Sequence, residues 1–431
     1  MDNSKENYGR LGLMGLQHLF AMFGATILVP LLTGLNVSVT LISVGIGTLI
    51  FHFLTKGRIP AFLGSSFAFL VGIQLITDPV TGLYADTLLT HQEKLAYATG
   101  AIFVSGSVYL LFALIIKLVG IKNFLKVVPP VVTSPTVILI GIILAPVAVS
   151  QSLTNPLLAV LTLLIIVITS TFGKGIFKII PILLGIVAAY LIAIVLHQLG
   201  FTNLDGSAIL DFASTSGVGF VGLPEFMFPK FDLVAIIVML PFAFATVAEH
   251  IGDMTAISSV TGQNFLETPG LSRTLLGDGI ASMFSALFGG PANTTYGENV
   301  GVLALTKVFD PRVIQLAAIY AILLGFSPFV AAIIHTIPVA IIGGASFMLY
   351  GMIAAVGIRN LVDNQVDISH TKNLIIIALM LVTGLGLNFG PSITFTVGTA
   401  NIPIDSMGIG LSVLVGIVLN LVLPEEMDLA K

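Results

Sequence analysis

The chain has 431 residues, of which 56% are hydrophobic and 9% charged, and its net charge is −4. A soluble domain carries about a quarter charged residues and one bilayer crossing takes about 20 apolar ones, so this composition excludes a water-soluble globule and allows on the order of twelve spans. There is no basic field for nucleic acid, and zero cysteines exclude a disulfide framework, a thiolate metal site and a cysteine nucleophile.

In chain order, the polar Met1–Arg10 leads into an apolar run from Leu11 to Leu35 with no small-residue cleavage site, which predicts a first span rather than a removable signal peptide. Apolar runs between charge or turn clusters then place spans at 11–33, 37–55, 60–77, 95–116, 128–149, 156–172, 176–198, 232–256, 273–290, 293–306, 313–334, 337–356, 373–388 and 403–423, fourteen in all. With both termini in the cytoplasm, 15 of the 17 Lys and Arg residues fall on the inner side and only Lys94 and Lys230 on the outer. A miscounted topology would scatter them. The longest outer connection, Leu199 to Phe231, is rich in Gly, Ser and Asp and reads as a lid or surface excursion.

The two halves of the chain carry related segments. Gly64-Ser65-Ser66-Phe67-Ala68-Phe69 resembles Asn293-Thr294-Thr295-Tyr296-Gly297-Glu298, with Ser65 and Thr294 229 residues apart. Gln17-His18 pairs with Glu249-His250 at an offset of 232, and Gly45-Ile46 with Gly279-Ile280 at 234. Seven spans per copy is an odd number, so the second copy enters the membrane from the opposite face, the inverted-repeat arrangement of secondary transporters. Spans three and ten are short, start near Pro60 and Pro291, and carry a hydroxyl pair before an aromatic residue. They predict an extended entry followed by a half-helix, whose N–H groups near Phe67 and Gly297 are offered to a polar ligand.

Glu249, Asp253 and Glu298 fall inside or close to spans, where carboxylates mark substrate or ion paths. Glu249 and Asp253 are four apart, hence on one helix face, and two such groups in low dielectric cannot both stay ionised cheaply. That outlines a proton-coupling site. His18 and His250 read first as helix–helix hydrogen bonds, Asp278 as a structural or interfacial residue near a cytoplasmic end, and His52 as facing the headgroups. No zinc-protease His-Glu-x-x-His, phosphate loop or nucleophile elbow occurs, which disfavours ATP-driven transport; no cofactor or metal is expected.

Four segments taken together resemble the uracil permease branch of the nucleobase-ascorbate transporter family: Gln17–Thr26, Gly64–Phe69, Ala248–Gly252 and Asn293–Gly301, with Glu298-Asn299-x-Gly301 followed by Thr306 matching the family signature. The resemblance implies an all-α polytopic fold with short strands in spans three and ten. It also implies a core domain (1–127 and 232–336) and a gate domain (128–231 and 337–431), commonly as a homodimer. By the same resemblance Glu249 and Glu298 accept hydrogen bonds from the ring N–H groups of uracil, backbone amides at Phe67, Tyr296 and Gly297 reach its carbonyls, and Ala25 and Tyr350 line the pocket. His18 matches a histidine that supports the first glutamate. One position departs from the pattern. Asp253 stands where this branch usually has a proton-coupling histidine; aspartate there is typical of the xanthine branch, which in turn usually has glutamine in place of Glu298.

The expected function is therefore proton-coupled uracil uptake across the plasma membrane, with substrate, protons and membrane lipid as partners. The alternatives are a xanthine, purine or urate symporter, an anion transporter, or an intramembrane enzyme using Glu249 and Asp253 as an acid–base pair.

Overall fold

A bilayer offers the backbone no hydrogen bonds, so each apolar run must close its own as a helix. The computed structural model describes residues 8–79, 82–85, 87–212, 215–391, 393–397, 400–403 and 407–424. The side chains of Tyr8, Glu298, 394–397 and 400–403 lie outside the described residues, as do Lys5 and Lys431 of the charge count.

The first part of the chain forms α1 (Tyr8–Thr33), α2 (Val37–Leu54), β1 (Leu63–Ser65), α3 (Ala68–Thr77), α4 (His91–Val119) and α5 (Ile121–Val127). It continues through α6 (Pro130–Ile143), α7 (Ala145–Ser152), α8 (Pro156–Phe172), α9 (Ile176–Ile179) and α10 (Pro181–Gln198). The second part runs through α11 (Leu233–Thr261), α12 (Leu271–Leu287), β2 (Asn293–Thr295), α13 (Glu298–Thr306), α14 (Pro311–Gly325) and α15 (Pro328–His335). Last come α16 (Val339–Asp363), α17 (Thr371–Phe389), β3 (Thr394–Val397), β4 (Ala400–Pro403) and α18 (Gly408–Val422). Several starts follow from capping chemistry: Asn36, Asn155, Asp232 and Asp310 accept from first-turn amides, and Thr90 forms a reciprocal capping box with Glu93.

Among the described residues, eight helical stretches are long and apolar enough to cross a membrane, α6 with α7 counting as one, and α14 with α15 makes a ninth as a pair bent by 84°. The sequence reading has that pair as one span, 313–334; Ser327-Pro328 breaks it, because proline cannot donate into the preceding turn. Leu and Val side chains on α8, α10 and α17 stand exposed, as lipid-facing surfaces do. The chain is an integral membrane protein.

Helices pack in two sets. In one, α4, α12, α2, α14 and α1 lie together; in the other, α6 packs on α16, α17 and α18, with α7, α8 and α10 beside them. Small residues let backbones approach: a Cβ on Gly279 would lie 3.0 Å from the Gly106 carbonyl (α12 on α4), and one on Gly141 2.4 Å from that of Tyr350 (α6 on α16). The described residues of the connection between α10 and α11 are held at four points. Leu204 N–H donates to Thr154, Gly222 N–H to Phe326, Met227 N–H to Phe288 and Lys230 N–H to Ala96.

Candidate functional site

Strands β1 and β2 pair antiparallel, Leu63 opposite Thr295, Gly64 opposite Thr294 and Ser65 opposite Asn293. Their free backbone groups are met by side chains, as membrane depth requires. Thr48 on α2 both receives the Leu63 N–H (3.0 Å) and donates to its carbonyl (3.3 Å). Ser282 on α12 does the same for Asn293, at 3.1 and 2.7 Å. Asp278 accepts from the Thr295 N–H and hydroxyl at 3.0 Å, and His250 Nδ1 donates to Asp278 at 2.8 Å while its Nε2 lies 2.8 Å from the Thr274 hydroxyl. Asp278 is fully buried under β2, so it does not sit at the interface. His52 is likewise buried, donating to the Ala61 carbonyl at 3.0 Å, and does not face the headgroups. Of the two roles open to Asp278 the structural one therefore holds, whereas His52 lies deeper than expected, because a position near the end of an apolar run does not reveal that a neighbouring segment folds back over it.

Immediately after each strand a short helix begins: α3 behind its N-cap Phe67 and α13 behind its N-cap Gly297, neither capped by its own side chain. First-turn N–H groups have no partner within a helix. Both N-caps line one cavity of about 460 Å³. Ala25 of α1, Glu249 and Asp253 of α11, and Tyr296 line it too. Gly297 makes room for Asp253, since a Cβ there would lie 2.8 Å from the Asp253 Oδ1. The carboxylate therefore rests against the positive end of the α13 dipole. The Phe67 and Tyr296 rings lie within 24° of parallel with centroids 6.5 Å apart, and the Tyr296 hydroxyl donates to the Ser65 carbonyl at 3.1 Å, tying the second break to the first.

Six of the nine site residues named from the sequence thus share one cavity: Ala25, Phe67, Glu249, Asp253, Tyr296 and Gly297. Glu298 opens α13 next to Gly297, and its side chain lies outside the described residues. Tyr350 does not line the cavity; it is buried edge-on to Phe67, ring centroids 6.0 Å apart. His18 is buried one turn along α1 from the lining Met22, and neither ring nitrogen has a hydrogen-bond partner among the described residues. The sequence reading missed Thr48, Ser282, Asn360 and Arg359, the last two lining the cavity from α16. The pair Thr48 and Ser282 was signalled, since they are 234 residues apart, the same offset as Gly45 and Gly279.

A family model described as "Permease family", that of the xanthine/uracil permeases, matches residues 9–393. The uracil permease of Bacillus subtilis (strain 168) is 40% identical over 432 residues, covering 96% of this chain and 92% of the relative. The chain belongs to the permease family. A probable uracil permease of Haemophilus influenzae is 39% identical, covering 97% of this chain and 96% of the relative, and the uracil permease of Escherichia coli (strain K12) is 35% identical over 96% and 93%. This permease is accordingly a membrane transporter and not an enzyme. Among solved structures, the transmembrane domain of a cyanobacterium bicarbonate transporter superposes with a TM-score of 0.59 at 17% identity, over 84% of this chain and 97% of that one. The murine solute carrier 26 family member A9 anion transporter reaches 0.62 at 10% identity, over 97% and 69%. At such identities the likeness is one of fold alone.

Proposed function

We propose that this permease is a proton-coupled uracil symporter of the plasma membrane working by alternating access. The observation that carries the reading is the cavity in which two helix N-termini and the carboxylates of α11 converge. Uracil is planar and offers two N–H donors and two carbonyl acceptors. Glu249 and Glu298 complement the donors, and the amides at Phe67 and Gly297 the acceptors; the Tyr296 N–H, expected from the resemblance to serve here, is instead given to the Phe62 carbonyl at 3.2 Å. Phe67 and Tyr296 give the ring flat walls, Ala25 closes one side and Tyr350 backs Phe67. Asp253, Glu249 and His18 form the proton-coupling set. Because Asp253 rests on the same amide end that a uracil carbonyl would meet, its charge and the occupancy of the site act on one set of N–H groups. The names of the curated relatives support the substrate.

The same reading takes the chain as fourteen spans in two inverted repeats. Each repeat has four core spans (α1, α2, β1 with α3, α4; then α11, α12, β2 with α13, α14 with α15) and three gate spans (α6 with α7, α8, α10; then α16, α17, α18). The two packing sets support core segments 1–127 and 232–336 and gate segments 128–231 and 337–431. The cavity lies between α1, α11 and α13 on one side and α16 with the α8–α10 link on the other, so a shift of one set against the other opens it alternately. Both termini are assigned to the cytoplasm, and the working unit to a homodimer in lipid.

Proteoliposome uptake of radiolabelled uracil, with and without an inward proton gradient and with xanthine as competitor, tests this. The expected result is gradient-stimulated uptake that xanthine leaves untouched, and a severe loss of uracil binding in Glu298→Gln. Normal uracil affinity in that variant would count against the assignment. The second reading, a xanthine or purine symporter, rests on Asp253; uptake of xanthine in place of uracil would establish it.

A further inference from the structure

A second cavity, of about 550 Å³, lies between the start of α1, the end of α13 and the start of α14. Arg10, Lys307 and Arg312 line it, and the one acid among them is Asp310. Three cations less one acid leave the lining with a net charge of +2. Asp310 is committed to Arg312, taking its Nε at 3.1 Å and its Nη2 at 2.8 Å, so the excess rests on Arg10 and Lys307. The remainder of the lining is largely apolar, from Leu11 and Met14 of α1 and Val308, Phe309 and Val313 beside α14. With both termini in the cytoplasm, the orientation on which this inference rests, the cavity opens at the inner surface of the membrane.

Lys307 caps the end of α13 in the left-handed conformation, φ 53°, where glycine is the favoured residue. A lysine held there against its backbone preference brings a charge that glycine would not. At the offset of 229 that relates Ser65 to Thr294, the first half of the chain has Asp78 in its place. The positive charge therefore belongs to this cavity and not to the repeated segment.

The neighbouring helix surface selects between a soluble anion and an amphiphile. On α14, Ile319 and Leu323 follow Arg312 by seven and eleven residues, hence on the same face, and all three are exposed. Eleven residues of helix rise about 16 Å, close to one leaflet of a hydrocarbon core about 30 Å thick. On α1, Leu13 lies one turn beyond Arg10 and is exposed too. A soluble phosphate ester would meet the cations and leave this apolar stripe unused. A phospholipid uses both.

We infer that this cavity is a site for an anionic phospholipid of the inner leaflet, its phosphodiester held by Arg10 and Lys307 beside Arg312 and an acyl chain running down the α14 stripe. Thr306 lines this cavity and Leu305 the larger one. The headgroup thus holds the end of the same short helix whose N-cap, Gly297, lines the larger cavity with Glu249 and Asp253.

The test is titration of the purified full chain in neutral detergent with phosphatidylglycerol, phosphatidylcholine or glycerol 3-phosphate, with bound ligand counted by native mass spectrometry. It is repeated for Arg10→Gln, Lys307→Gln and, as a control for inner-side charge in general, Lys122→Gln on α5. Phosphatidylglycerol is expected to bind about tenfold or more tightly than phosphatidylcholine, and to weaken about fivefold in Arg10→Gln and in Lys307→Gln but not in Lys122→Gln. An unchanged melting temperature without lipid shows that each variant is folded. Equal affinity for the two lipids, or a loss in Lys122→Gln as large as in the other two, overturns the site. Glycerol 3-phosphate binding as tightly as phosphatidylglycerol overturns the lipid assignment in favour of a soluble phosphate ester. None of these readouts depends on which substrate is transported, so the uracil reading stands or falls separately.

Discussion

In the first broken span one hydroxyl, that of Thr48, serves both the N–H and the carbonyl of Leu63; in the second, Ser282 serves Asn293 in the same way. Beyond that shared device the two regions differ. At the offset that relates Thr48 to Ser282, Val44 in the first half corresponds to Asp278 in the second. Asp278 gathers the Thr295 N–H, the Thr295 hydroxyl and His250 into one buried network. Val44 can gather nothing, and the corresponding histidine, His18, has neither ring nitrogen paired among the described residues. The second half-helix is thus fixed by a dense polar cluster. The first is located mainly by what it touches across the break, through Ser65 to the Thr26 carbonyl at 2.9 Å and through the Tyr296 hydroxyl. A paired hydrogen-bond network is strong only when complete, so the anchored half is also the one more easily ruined by a single change.

The sharpest way to break this contrast is Asp278→Ala, which leaves the Thr295 N–H buried without a partner and His250 Nδ1 with the Thr295 hydroxyl alone. The expected cost is about 3–5 kcal/mol, read as loss of monodisperse protein after heating. Gly64→Ala attacks the first half instead: its Cβ would lie 2.0 Å from the Tyr296 ring, so overpacking of about 1–3 kcal/mol and a displaced tyrosine should lower uracil uptake more than melting temperature. Leucine in place of each histidine compares the halves directly. His250→Leu should lose about 1–3 kcal/mol, whereas His18→Leu should keep or raise the melting temperature; equal losses would dissolve the asymmetry. Thr48→Val and Ser282→Ala should each cost about 1 kcal/mol and match one another if the two hydroxyls play the same part. The smallest effect is expected beyond the second break, where Asp310 caps α14 and the Arg312 hydrogen bond holds its carboxyl below the usual carboxylate range. The folded state favours the charged form, so the cap contributes fully at neutral pH and fades as the pH falls through that lowered value. Asp310→Ala should cost about 1 kcal/mol at pH 7 and less in acid, by melting curves at the two pH values.

Much of the site could be read along the chain. Glu249 and Asp253 share a helix face at any tertiary arrangement because they are four residues apart. Pro60 and Pro291, each ahead of a hydroxyl pair, signal interrupted helices because proline and short polar side chains compete with helical hydrogen bonding. What escaped were groups whose role depends on a partner more than two hundred residues away or on a helix in the other packing set: Ser43 receiving from Asn293, Pro60 from Asn299, and Asn360 lying against Gly252. Tyr350 and His18 stand near the cavity without lining it, since their depth depends on how α1 and α16 are rotated against α11.

Composition and periodicity alone determined that this chain lives in a membrane and which carboxylates would be costly enough to need a purpose, because both follow from local chemistry and the absence of water in the bilayer. Only the tertiary structure decided that two three-residue strands pair, that the helices they release start at one cavity, and that Glu249, Asp253 and both N-caps line it together. Those are relations between segments distant in the chain, and no local preference encodes the register in which such segments meet.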